Sequence, residues 1–552
     1  MGLTGPPQGG WGSSHGVPRY ALVVLAAIVV AGFLLRAFPY LSSGFPYHTD
    51  TFPQLANARN LVSKTPIPLG PSGGFDSYNI YWPADTLFFA VATVVAGVPP
   101  VASMPLVGPF VASLTAVLFF ALVRSFGLPA RTSAVAALLF EVAGGTVMIS
   151  TGVTKEGFAI PLMVLVLLLL NVWLRDGRKG ALGLSAVAFG VLLAAHSLTS
   201  VVGLLLASYL AIAYAVVPGG GRRRVWATAG VLALFAAASL LYFYVYAVSN
   251  LPYDLQPSGV IAVFGYEALL TAPVWLAGAF RLDLFRWAGA WMGVLALGVS
   301  GLFGSALAFH FLLDSPVVSP YVLALALPYV AVAFLAAAGA WLSGGKPGSR
   351  GVAFASLWAL GVLGVVGFSA FATPGAIGTT MRILDFVYPG AAVLAAAALS
   401  LLIGSGKAKG AVGLAVLGLL VVGSAYVVPY SAYWSGPVGG SQRVFSQAEA
   451  SALGWTEQAP ANVTVSGDAR FGYLASYYTG ENVSSGGEFL YLAGVGGPPA
   501  GCMLVDRLIF QTGFIGGTYG HPVNATVVGA LSGQTSLQGV YSNGEVWAYC
   551  RP

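Results

Sequence analysis

The stretch GVTKEGFAIPLMVLVLLLLNVWLRDGRK, residues 152–179, decides the fold class. Residues 157–174 within it carry no charge. An apolar helix of roughly 18 to 20 residues is long enough to cross a bilayer. One flank holds Lys155 and Glu156; the other holds Arg175, Arg178 and Lys179. A basic flank marks the cytoplasmic end of a span. This segment therefore predicts both a transmembrane helix and its direction.

Working outward, similar runs lie at 20–37, 104–124, 132–151, 181–197, 199–217, 225–247, 259–280, 287–311, 320–343, 352–372, 383–403 and 409–429. With 157–174 they predict a polytopic α-helical membrane protein of about 13 transmembrane helices. The run 85–98 is short and ends in Val98-Pro99-Pro100, so it reads as a helix lying in the interface. No small-residue cleavage site follows the first run, so it is expected to remain as a span. Residues are 57% hydrophobic and only 8% charged, which excludes an ordinary soluble domain. The net charge of +6 comes from clusters between apolar runs and does not point to nucleic acid.

Placing the N-terminus inside puts Arg124, Arg131, Arg175, Arg178, Lys179, Arg222, Arg223, Arg224, Arg350, Lys407 and Lys409 in inner loops. A fourteenth span would move these clusters outside, against the positive-inside rule. The expected organisation is a cytoplasmic N-terminus (1–19), a transmembrane domain (20–429) with its first outer loop at 38–103, and an extracytoplasmic C-terminal domain (430–552). In that last region, alternating stretches such as Asn462-Val-Thr-Val-Ser and Glu545-Val-Trp-Ala-Tyr read as strands, and 446–458 reads as a helix. A small α/β domain follows. The two cysteines, Cys502 and Cys550, both fall here, where an outer compartment permits a disulfide; two buried thiols are the alternative. So do three glycosylation triplets, at Asn462, Asn482 and Asn524.

In so uncharged a chain, the polar residues of the outer face are candidates for function. His48 and Asp50 follow the first span, and Arg59 lies further along a helical register. Asp50 suits a metal ligand or a base, with a helix N-cap as its alternative role. Lys155-Glu156 opens a span after a very short outer loop; a solvated turn is the alternative. His196 stands between two apolar runs, as core residue or as pocket lining. Arg382 breaks the inside bias, either as the i,i+3 partner of Asp385 or as a guanidinium for a lipid phosphate. Glu141 and Glu267 fall within spans, as walls of a polar cavity.

Together these residues resemble the C-type (GT-C) membrane glycosyltransferases, and more narrowly the catalytic subunit of prokaryotic, archaeal-type oligosaccharyltransferases. Asp50-Thr-Phe-Pro-Gln-Leu-Ala-Asn-Ala-Arg59 looks like that family's loop Asp and the helix after it. Lys155-Glu156-Gly157 stands where the family has Asp-x-Asp, and Arg382 where it has an Arg near the lipid diphosphate. Ala452-Leu-Gly-Trp455 resembles the lead-in to the family's WWDYG motif, but Ser466-Gly-Asp468-Ala-Arg-Phe-Gly-Tyr473 follows instead. The resemblance implies catalysis by Asp50 and Glu156, with His48, Arg59, Lys155, His196 and Arg382 binding substrate. It implies a Mn or Mg ion on Asp50 and Glu156; transfer without a metal, Lys155 supplying the charge, is the other expectation. The implied donor is a polyprenyl-(di)phosphate sugar. The implied acceptor is a surface protein, lipid or glycan, and the surroundings are membrane lipid. A non-catalytic scaffold of envelope assembly and a lipid or solute transporter are the competing functions.

Overall fold

The computed structural model describes residues 17–63, 75–76, 78–217, 222–250, 288–313, 320–343, 350–372, 382–433, 444–458 and most of 463–551, with isolated positions between 263 and 276. It is a helical membrane bundle carrying a small C-terminal α/β domain. Among the described residues, nine helices are long and apolar enough to cross a membrane, or ten with one bent pair counted as a span. Helices stand at twelve of the thirteen expected positions, nine of them long and apolar enough to span by that measure. The remaining expected span, 259–280, and Glu267 within it lie outside the described residues.

The chain enters through α1 (Arg19–Ser43) and forms α2 (Thr51–Ser63) and α3 (Ala84–Ala96) in the first loop. Helix α3 is two-faced: Asp85, Thr86, Phe89 and Thr93 are buried, while Phe88, Val91, Val94 and Val95 are exposed. That pattern suits a helix lying along an interface. Helices α4 (Pro100–Ser113) and α5 (Thr115–Ser125) form one span. Next, α6 (Ala130–Glu141) and α7 (Gly144–Thr151) meet at 58°. Sharp bends need their freed backbone groups satisfied. Here Arg36 of α1 does it. Its Nη2 donates to the Glu141 carbonyl at 3.2 Å, its Nε donates to Ser150 Oγ at 2.8 Å, and its Nη1 pairs with the Glu141 carboxylate. Gly32 gives the carboxylate room, since a Cβ there would collide with Glu141. Glu141, expected only as a cavity wall, is thus the partner of a buried arginine.

Helices α8 (Lys155–Asp176) and α10 (Ser197–Val216) follow as spans, with the shorter apolar helix α9 (Lys179–Ala195) between them. Two bundle ends emerge. At one end Arg224 donates to the Leu174 and Arg175 carbonyls, Arg175 donates to the Ser125 carbonyl, and Arg350 lies over Tyr214. We call this the basic end. At the other lie the first loop, the α7–α8 turn, the α9–α10 junction and the C-terminal domain.

That domain holds a four-stranded sheet in the order β1-β2-β6-β5 (Val465–Ser466, Cys502–Asp506, Val546–Cys550, Gln538–Ser542) and a two-stranded one of β3 (Phe514–Gly516) and β4 (Tyr519–His521). β1 and β2 are parallel and the other pairs antiparallel. The helix Gln447–Thr456 opens with a capping box between Ser446 and Glu449. Cys502 and Cys550 are opposite each other in the β2–β6 ladder and are joined by a disulfide. Closing 48 residues in this way contributes about 4 kcal/mol on the chain-entropy account. Reduction of the purified full chain is therefore expected to lower the midpoint of the C-terminal domain's thermal unfolding. An unchanged midpoint would mean the sheet does not depend on the bridge. Asn462 and Asn482 lie outside the described residues; Asn524 precedes the helix Ala525–Gly533.

The domain is welded to the first loop by one apolar core. Phe52, Leu55 and Leu61 of α2 pack with Phe89 of α3 and with Phe445, Leu453, Phe471 and Leu504 of the C-terminal domain. Phe52 meets Phe445 edge-on at 4.7 Å. Beneath the sheet, Arg470 pairs with Glu449 at 2.5 Å, near Asp506. Burial, with Glu449 beside it, pushes the Asp506 carboxyl up to about 7. A raised folded-state value favours the protonated form in the fold. Its stabilising effect is thus full below the unfolded value of 3.8 and is lost as pH rises through about 7. Asp506→Asn is expected to flatten that fall in melting temperature between pH 4 and 7; an identical slope in the variant would reject this assignment.

Candidate active site

The candidate cleft starts from two turns held together. Thr51 Oγ1 donates to the Tyr47 carbonyl at 2.6 Å and accepts from the Val153 N–H at 3.0 Å. A Cβ on Gly152 would sit 2.9 Å from the Tyr47 carbonyl and 3.1 Å from Thr51 Oγ1, so only glycine allows this approach. The result sets the Asp50 turn beside the Lys155-Glu156 turn.

His48 adopts φ 75°, a left-handed conformation uncommon outside glycine. Its Nδ1 accepts the Asp50 N–H at 3.2 Å and lies 3.7 Å from Asp50 Oδ2. The Asp50 carboxylate is 45% exposed and caps no helix among the described residues. It is therefore open to solvent beside the Lys155-Glu156 turn.

Lys155 and Glu156 open α8, whose first turn is capped by Thr154 accepting the Gly157 N–H at 3.0 Å. Both side chains are buried, at 8% and 5% exposure, so this is no solvated turn. Lys155 Nζ lies 3.9 Å from the centre of the Tyr78 ring. His196, at the α9–α10 junction, is also buried. Its Nδ1 lies 3.3 Å from the Thr199 backbone nitrogen and 2.8 Å from Thr199 Oγ1, which leaves Nε2 on the far edge of the ring. That Nε2 faces Glu156 Oε1 at 3.8 Å.

Arg382 is exposed and begins the helical segment leading into Tyr388–Gly404. Its charge acts on Glu156, His196, Tyr78 and Asp385. Asp50 acts in turn on Glu156, Lys155 and Tyr473 of the C-terminal domain. Burial pushes the Tyr78 phenol up to about 12, Arg382 opposing and Asp50 adding to it, so Tyr78 is a neutral hydroxyl at neutral pH. Below this surface, Glu156 and Asp385 share a small cavity with Thr146, Ile149, Ile160 and Met163.

Five candidates, Asp50, Lys155, Glu156, His196 and Arg382, thus come together, with His48 beside Asp50. Arg59 stands elsewhere. Its Nη1 donates to the Tyr477 carbonyl at 2.5 Å and its guanidinium lies 4.9 Å from that ring's centre. It fastens α2 to the C-terminal domain. Trp455 stacks on Tyr541, and Asp468 caps the helix Ala469–Tyr478 by accepting from the Arg470 and Phe471 N–H groups. Residues unnamed by the sequence as candidates are Tyr78, Asp85 and Tyr473. Tyr78 and Asp85 carried one signal: polar groups in the loop that also holds Asp50.

No protein-family profile matches the sequence, and no curated protein matches it. Solved structures do share its fold. One is the archaeal oligosaccharyltransferase AglB from Archaeoglobus fulgidus in complex with an inhibitory peptide and a dolichol-phosphate: 12% identity, TM-score 0.54, covering 85% of this chain and 64% of that one. Another is an Archaeoglobus fulgidus oligosaccharyltransferase tethered to an acceptor peptide containing the NVT sequon: 14% identity, TM-score 0.51, covering 80% of this chain and 58% of that one. What the chain shares with these two structures is the fold. The chain spans about 60% of the length of these oligosaccharyltransferases.

Proposed function

We propose that the chain is a membrane glycosyltransferase that takes a sugar or oligosaccharide from a polyprenyl-(di)phosphate carrier. The observation that supports this reading best is the convergence of Asp50, Lys155, Glu156, His196 and Arg382 at one bundle end, beneath a domain welded to the first loop. The basic end would face the cytoplasm, which puts the cleft and the C-terminal domain on the outer face. Lys155 and Arg382 would hold the carrier phosphate. An acceptor hydroxyl or amide would attack the sugar's anomeric carbon as the carbon–oxygen bond to phosphate breaks. Asp50, open to the cleft, would take the acceptor's proton. The leaving phosphate keeps the bonding electrons, and the cations stabilise it. The acceptor is a surface protein, lipid or glycan; this chain has an N-cap aspartate where the oligosaccharyltransferase motif would fall, so no sequon need be read. The assay uses full-length protein in proteoliposomes with radiolabelled polyprenyl-phosphate and polyprenyl-diphosphate sugars. Transfer or release of label is expected. Absence of turnover from every donor, with cellular function unchanged by Asp50→Ala, would instead establish a scaffold.

A further inference from the structure

A divalent ion is what the resemblance implies for the carboxylates of this cleft. Such ions need several oxygen ligands. Among the described residues no three His, Cys, Asp or Glu side chains converge to hold one. The Glu156 carboxylate instead lies 3.8 Å from Nε2 of His196. The ammonium of Lys155 lies in the field of Asp85, Asp76 and Asp50, the carboxylates an ion would have to recruit. Asp76 is already spent: it accepts from Asn57, from the Tyr78 N–H and from the Asn79 N–H. A fixed ammonium would also repel a dication brought beside it.

Two further atoms need explaining. Lys155 Nζ and Asp85 Oδ2 are both buried without a hydrogen-bond partner. Asp85 is fully buried in the first turn of α3. Its neighbour Thr86 donates to Gln54 Oε1 at 2.6 Å, and Gln54 donates to Asn79 Oδ1 at 2.9 Å, which ties α3 to α2 and to the Tyr78 turn. A buried ammonium is costly unless something accepts from it. The exposed mouth of the same cleft carries Arg382, a second cation.

We propose that Lys155 is a built-in cation that takes the place of the divalent metal at the donor phosphate, and that Asp85, on the α3 helix that packs against the start of α8 through Phe88, Phe89 and Phe158, is its positioning residue. This rests on reading the cleft as a donor-phosphate site. The test measures binding of polyprenyl phosphate to the full chain in nanodiscs, with EDTA and with added Mn. Wild-type affinity is expected to be the same in both within about twofold. Lys155→Met should weaken binding roughly 10- to 100-fold, the effect of one charged hydrogen bond. Asp85→Asn should weaken it less, and Asp85→Glu should restore it, which a purely structural role for Asp85 would not produce. Wild-type binding abolished by EDTA and restored by Mn would overturn the inference and leave the functional reading intact. Binding unaffected by Lys155→Met would overturn it as well. No binding by wild type under either condition would overturn both.

Discussion

Arg36→Met is expected to destabilise the purified protein more than any single change in the cleft. Arg36 and Glu141 are 2% and 1% exposed. The guanidinium serves four acceptors: the Glu141 carboxylate, the Glu141 carbonyl, the Gly32 carbonyl and Ser150 Oγ. Removing it leaves an uncompensated carboxylate and a freed carbonyl at the bend between α6 and α7. Breaking one side of a buried pair costs about 3–5 kcal/mol. Arg36→Met combined with Glu141→Gln removes the stranded charge and should recover part of that loss. The thermal midpoints of wild type, both single variants and the double variant in detergent give the coupling, expected at about 2 kcal/mol. Simple addition of the two single losses would show that the pair does not hold the bend.

Asp50→Asn should lower the rate of transfer about a thousandfold, within the range for a general base, while leaving donor affinity within about threefold. The substitution is nearly isosteric and the side chain is 45% exposed, so the fold should be indifferent to it. The separation matters: Lys155 and Arg382 are assigned to the phosphate and Asp50 to the acceptor's proton. A loss of donor binding equal to the loss of rate would move Asp50 to the donor side.

Much of this was legible in the chain. Long uncharged runs and the Lys/Arg bias yielded the span positions because water and lipid separate them so sharply. The strands at Val465 and Val546, the helix opening at Gln447 and the Cys502–Cys550 bridge were also readable. What periodicity does not carry is pairing between distant segments. Nothing near Arg36 or Glu141 in sequence says that they meet, 105 residues apart. Asp85 looked like part of an apolar run because its role depends on Lys155, which α8 delivers from another part of the chain. Arg59 shows the reverse: a helical register beside Asp50 suggested a shared role, but the register turns it toward Tyr477.

The measurement that bears most directly on the cleft is a cryo-electron microscopy structure of the full chain in nanodiscs with polyprenyl phosphate. The phosphate is expected within hydrogen-bond reach of Lys155 Nζ and the Arg382 guanidinium, with its chain leaving into lipid. Phosphate bound at the basic end, beside Arg175 and Arg224, with the Lys155 cleft empty, would contradict the account.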